Sequence, residues 1–160
     1  MKVLVISDSH KKIGNLAAMV EKERPDIVIS CGDHCRDCDE LAERYPGPDY
    51  YCVPGNCDFF THGRKEELLI YLEKVPVLIT HGHKYQVKRT YNYLREKAES
   101  LGVKVVLCGH THRKYTEKGD HMTIFNPGAA HEGDYGIMEV EGNTVSFTHK
   151  TLNAENTEDA

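Results

Sequence analysis

The chain has 160 residues and a formal net charge of -5, from 20 basic and 25 acidic residues. That length fits one domain able to bury a core without staples, and the acidic balance argues against broad electrostatic binding to nucleic acid or an anionic membrane. No apolar stretch approaches the ~18–20 residues of a membrane span. The opening run Met1–Ile6 is too short for a secretory h-region and is broken by Ser7-Asp8, so a cytoplasmic protein is expected.

Lys2–Ile6 is short, apolar and β-branched, which predicts a buried strand. Leu16, Met19 and Val20 recur at helical spacing until Pro25. Asp26–Ser30 predicts a second strand, ending at Cys31-Gly32-Asp33-His34. Leu41 lies in a short helical segment stopped by Pro46-Gly47-Pro48. Tyr50–Val53 predicts a third strand, ending at Pro54-Gly55-Asn56, and Glu67–Thr80 predicts two more, the second ending at His81-Gly82-His83. Val87, Tyr91, Leu94 and Ala98 predict a helix over 86–101 with Gly102 as its C-cap. Val103–Cys108 is a buried strand ending at Gly109-His110. Short strands follow around Tyr115, over Thr123–Phe125, Tyr135–Val140 and Thr144–His149, the last two joined by a hairpin at Gly142-Asn143. Residues 1–150 thus read as one α/β domain with a mixed or two-sheet core, and 151–160 as a frayed acidic tail.

Six cysteines and no secretory leader predict reduced thiols. Cys35-x-x-Cys38 lacks a second Cys/His pair at zinc-knuckle spacing, although it stands where a strand gives way to a helix, roughly as in a thioredoxin-like motif.

The chemistry lies where strands stop. Asp8-Ser9-His10, Gly32-Asp33, Gly55-Asn56-Cys57-Asp58, His81-Gly82-His83 and Gly109-His110-Thr111-His112 each follow a predicted strand, usually beside a glycine. In α/β sheets ligands bind outside the carboxyl ends of strands, so the clusters are expected on one rim. Carboxylates, an amide and imidazoles without thiolates suit Mn²⁺, Fe, Zn²⁺ or Ni²⁺. Seven candidate groups exceed the needs of one tetrahedral ion and suit two ions ~3.5–4 Å apart, the usual device for in-line attack at phosphorus. Reading 109–112 as extended, His110 and His112 point to the same side and Thr111 turns away, so Thr111 is expected to tolerate substitution.

These motifs resemble the calcineurin-like metallophosphoesterases, and the short length and the Gly-Asn-Cys-Asp form are similar to the small prokaryotic YfcE-like phosphodiesterases. Asn126-Pro127-Gly128-Ala129-Ala130 resembles the Asn-Pro-Gly-Ser segment of that group. The resemblance covers about residues 1–150 and implies a four-layer αββα sandwich with a dinuclear centre. It implies a first ion held by Asp8, His10, Asp33 and His112, and a second held by Asp33, Asn56, His81 and His110, with Asp33 bridging. Mn is the expected metal, with Ni, Fe, Zn or Mg as alternatives. The implied reaction is hydrolysis of a small phosphodiester by a hydroxide bridging the two ions, with Asp33 and Asn56 at the reaction centre. A dimer or tetramer is expected only by analogy.

Many relatives carry histidine where Cys57 stands, and that histidine is thought to protonate the leaving group; a thiol in its place implies a preference for good leaving groups, such as an aryl or nucleoside alcohol. Asp58 then lacks its usual partner and is expected to orient a neighbouring group, while His83 is the spare imidazole nearest the centre. Ala129 replaces the family's serine. His34 reads as either a neighbour of the ligands or an exposed residue. His62, His121, His131 and His149 read as surface residues; Tyr45, Tyr50 and Tyr51 read as packing. Arg36, Arg64 and Lys65 are weaker candidates for a phosphate approach. Two other functions stay open, a non-catalytic interaction scaffold such as the retromer subunit of this fold and a phosphomonoesterase. Retention of metal-competent side chains at every ligand position favours an enzyme.

Overall fold

A computed structural model describes residues 1–58 and 63–152. Ten strands form two five-stranded sheets. The first sheet contains β1 (Lys2–Ile6), β2 (Ile27–Ser30), β3 (Asp49–Cys52), β9 (Asp134–Glu141) and β10 (Thr144–Thr151), in the order β10-β9-β1-β2-β3. The second contains β4 (Glu67–Leu72), β5 (Val75–Thr80), β6 (Val105–Leu107), β7 (Lys114–Lys118) and β8 (Thr123–Pro127), in the order β4-β5-β6-β8-β7.

Side-chain alternation assigns the faces. In β1, Val3 and Val5 join the core between the sheets, while Leu4 and Ile6 turn outward onto helices. In β5, Val77 and Ile79 join the same inner core and Leu78 faces the other way. Helix α1 (Ile13–Glu23) buries Leu16, Met19, Val20 and Glu23, one stripe at helical spacing, and ends at Arg24 in a left-handed conformation just before Pro25. With Leu41 of α2 (Cys35–Arg44), that stripe covers the first sheet. Leu94 and Ala98 of α3 (Asn92–Leu101) cover the second. The order helix, sheet, sheet, helix is the expected four-layer sandwich.

Two boundaries differ from expectation. The helix predicted from residue 86 begins at Asn92. A single 3₁₀ turn occupies His83–Tyr85, Gln86 is left-handed at φ 55°, and the Thr90 hydroxyl accepts the Asn92 amide at 3.1 Å, so 86–91 is a chain of turns. Val87 and Tyr91 still pack against α3's core cluster, which explains the misleading periodicity. At the other end, β10 runs through Thr151 and Leu152 is buried, past the predicted tail boundary. Residues 153–160 and His62 lie outside the described residues. Among the described residues no helix is long and apolar enough to cross a membrane.

Candidate metal centre

The five clusters sit at the carboxyl ends of β1, β2 and β3 in one sheet and of β5 and β6 in the other, where each trio or pair runs parallel. Cross-sheet hydrogen bonds join these ends. The His110 amide donates to Asp8 Oδ2 at 3.1 Å, and His81 Nδ1 lies 2.7 Å from the Cys31 carbonyl. A carbonyl only accepts, so His81 Nδ1 carries a proton and Nε2 is the ring atom turned to the site.

Asp8 is fully buried. Its Oδ2 accepts from Ser7 Oγ at 2.7 Å as well as from His110, but among the described residues Oδ1 has no hydrogen-bond partner. Around Oδ1 lie His112 Nε2 at 3.3 Å and the Nε2 atoms of His10 and His81, each at 3.9 Å. His10 Nε2 is also buried and has no hydrogen-bond partner among the described residues. Ligand atoms of Asp8, His10, Asp33 and His112 all fall within 4.8 Å of one another, and this is the set implied for the first ion. Asp33 divides its oxygens: Oδ2 faces His10 Nε2 at 3.8 Å, and Oδ1 faces His81 Nε2 at 3.5 Å while accepting the Cys57 amide. On that second side His81 Nε2 lies 3.0 Å from Asn56 Oδ1, and the His110 ring centroid is 5.0 Å from that of His81. The second set is therefore the looser one.

The electrostatics describe a cluster short of positive charge. Burial pushes the Asp8 carboxyl up to about 6, against the lowering effect of His81 and Ser7. Burial likewise brings His110 down to about 4, helped by His81, and lowers His10 and His112. Asp33 goes the other way: burial raises it, but His81 and the Cys57 amide outweigh burial and keep it ionised. Neutral imidazoles and a buried carboxylate oxygen without a donor are the protonation states that coordinate a cation. The donor set fits a divalent ion of nitrogen–oxygen preference.

The backbone is bent at these positions. Asp8, His10, Asp33, His34, His110 and His112 all have positive φ, between 44° and 72°. The segment 109–112 is therefore not extended, and strand alternation does not set the directions of His110 and His112. Nor is Thr111 idle: its hydroxyl donates to the Arg113 carbonyl, receives the Arg113 amide, and receives Asn126 Nδ2 at 3.0 Å. These bonds give Thr111 a structural role that the extended reading did not anticipate. Two glycines have a steric reason. A Cβ on Gly55 would stand 2.1 Å from Asp33 Oδ1, and one on Gly109 would stand 1.8 Å from Ser7 Oγ.

Several side chains have roles other than expected. Asp58, expected to orient a neighbouring group, holds two backbone amides, that of Cys35 with Oδ1 and that of Gly55 with Oδ2, each at 2.7 Å. His83 lies beside the centre, its ring 5.4 Å from His81 and its buried Nδ1 without a hydrogen-bond partner among the described residues. Burial and Asp33 raise the Cys57 thiol. His131, expected at the surface, is only part-exposed and faces the cluster: its Nδ1 donates to the Asp8 carbonyl at 3.0 Å, and its ring lies 5.1 Å from both His10 and His112. It stands just beyond β8, a sixth strand end that the same reading along the chain could have included. His149 is likewise only part-exposed, stacking on Phe125 and reaching the Asn126 carbonyl. His121 is exposed, and His34 lies 4.9 Å from His10. Buried Asp37, unremarked in the sequence, holds Ser9 Oγ at 2.6 Å and the Lys11 amide at 2.8 Å, so it clamps the turn carrying His10. Arg64 is paired with Asp39, while Arg36 and Lys65 are exposed. All six cysteines are free thiols; Cys35 does open α2, but none joins the candidate metal clusters.

Residues 1–136 match the calcineurin-like phosphoesterase superfamily domain. The chain is 36% identical over 158 residues to a probable metallophosphoesterase, YsnB, of Bacillus subtilis, covering 92% of this chain and 90% of that one. It is 26% identical over 144 residues to a phosphodiesterase of Methanocaldococcus jannaschii, covering 80% and 83%. Among solved structures, Vps29 of Entamoeba histolytica in complex with zinc superposes with a TM-score of 0.81 at 21% identity, covering 95% of this chain and 93% of that chain; that likeness speaks to the fold.

Proposed function

The chain belongs to the calcineurin-like phosphoesterase superfamily, and from that premise we propose that it is a divalent-metal-dependent phosphodiesterase with a dinuclear centre. Metal-dependent phosphoesterase activity comes with the family and its metallophosphoesterase relatives; the diester preference, the number of ions and the residue roles are the proposal. One observation carries it: buried Asp8 Oδ1 and His10 Nε2 have no hydrogen-bond partner among the described residues while facing Asp33 and His112 across less than 5 Å.

In this reading Asp8, His10, Asp33 and His112 hold one ion, and Asp33, Asn56, His81 and His110 hold the other. Bound ions supply an activated water and neutralise charge growing on the phosphoryl oxygens. The protein's own part is orientation. Cys31 fixes the His81 tautomer, Ser7 and the His110 amide fix Asp8, and Asp58 holds the turn that presents Asn56. Cys57 offers a weaker acid than an imidazole, which favours esters with good leaving groups. The M. jannaschii relative's name supports the diester reading. Mn²⁺ suits the mixed donors.

The test is to strip the protein of metal and assay bis-p-nitrophenyl phosphate and p-nitrophenyl phosphate while re-adding Mn²⁺, Ni²⁺, Zn²⁺ or Mg²⁺. We expect restored turnover, faster on the diester, and its loss by at least about 100-fold in Asp33→Ala but not in His121→Ala. Faster turnover of the monoester would make this a phosphomonoesterase, and no turnover with any metal would favour a scaffold.

A further inference from the structure

A cavity of about 560 Å³ opens beside the centre, built by the turns at 87–91 and by the start of β7. Thr111, which lies between two candidate ligands, forms part of its wall. The chain as a whole is acidic, yet Lys88, Arg89, Arg113 and Lys114 line this cavity and, among the described residues, no carboxylate does. These cations are not equally engaged. Lys114 is paired with Asp134 at 3.5 Å and bonded to Thr151, and Arg89 reaches Gln86. The side chains of Lys88 and Arg113 make no hydrogen bond or ion pair among the described residues. Lys88 is close enough for its charge to act on both His110 and His112. Tyr91 and Tyr115 stack face to face, 4.1 Å apart and 3° from parallel, as a flat wall of the same cavity.

We propose that this cavity is a second anion site, which selects phosphate esters whose alcohol portion carries a further phosphate. The inference rests on the phosphodiesterase reading of the neighbouring centre. A single phosphate held at the metal ligands leaves Lys88 and Arg113 without a counter-charge. A ligand with two phosphates satisfies both places, and its organic body lies along the tyrosine wall. Arginine's planar fork and lysine's compact charge together suit that second phosphate. The whole-chain charge disfavours a long polyanion, so a small ester is the occupant.

The test compares the p-nitrophenyl ester of thymidine 5′-phosphate with the same ester bearing a 3′-phosphate, on the metal-loaded full chain. The kcat/KM ratio should favour the second by about tenfold, and the preference should collapse in Arg113→Ala and in Lys88→Ala but persist in Lys118→Ala. In parallel, calorimetry should find thymidine 3′,5′-bisphosphate bound about tenfold more tightly than thymidine 5′-phosphate, with the advantage lost in Arg113→Ala. A binding preference without turnover would leave the second site standing and remove the phosphodiesterase reading. Turnover of both esters with no preference in either measurement would overturn the second site. Tighter binding of a single-stranded oligonucleotide than of the bisphosphate would overturn the small-ester assignment.

Discussion

Asp8 divides its carboxylate between folding and chemistry. Oδ2 is saturated by Ser7 and the His110 amide, and the residue's own carbonyl takes His131, so only Oδ1 is left to face the cluster. That arrangement predicts a positioning role for His131, acting through the Asp8 carbonyl rather than through its own ring beside His10 and His112. Its replacement by alanine should weaken metal affinity about 10- to 100-fold, as loss of hydrogen-bonding support behind a ligand commonly does. Asparagine can still donate to the Asp8 carbonyl, so His131→Asn should recover most of that affinity. Titration calorimetry with Mn²⁺ reads both variants, and thermal unfolding of the metal-free proteins should hardly change. Wild-type affinity in His131→Ala would remove this role.

At the level of elements, the turn after β3 and the first turn of α2 are joined by one side chain. Asp58 caps the Cys35 amide at the start of α2 and pins Gly55, directly before Asn56. Asp58→Ala leaves two part-buried amides unpaired and should cost roughly 3 kcal/mol, visible as a lower urea midpoint. Unchanged stability would return the carboxylate to the list of groups free for chemistry. Strand ends were the legible part of this architecture, because short β-branched runs stop sharply at Asp8, Asp33, Asn56, His81 and His110. What joins those ends was not legible. Asp58 and the Cys35 amide are 23 residues apart, and Asp8 and His131 are 123 apart, distances at which one sequence carries no pairing signal. The positive φ at His110 and His112 was hidden too, since the tertiary bonds of Asp8 and Asn126 set it rather than local propensity. Helical spacing through Val87 and Tyr91 concealed the break at Gln86, and with it the turns that wall the basic cavity.

At the scale of the molecule, the first sheet joins both ends of the described chain: β1 pairs with β9, and β9 with β10. Glu23, buried at the end of α1, fastens three of these parts at once. It accepts Tyr135 Oη of β9 at 2.6 Å, Lys150 Nζ of β10 at 3.1 Å, and Lys2 Nζ of β1 at 2.9 Å. Burial alone would raise its pKa. Tyr135, Lys2 and Lys150 together outweigh burial and hold it at about 2, below the ordinary 4.5. The folded state thus binds the proton less readily than the unfolded chain. The resulting stabilisation is complete above about pH 4.5 and is lost as pH falls through the folded value near 2. A difference of this size corresponds to about 3 kcal/mol. Glu23→Gln should therefore lower stability near neutral pH by an amount of that order and flatten the pH dependence between about 4.5 and 2, with the two proteins converging in acid. Urea unfolding from pH 2 to pH 7 measures it. Parallel curves for the wild type and Glu23→Gln across that range would mean that the buried carboxylate is not what locks the helix layer to the first and last strands.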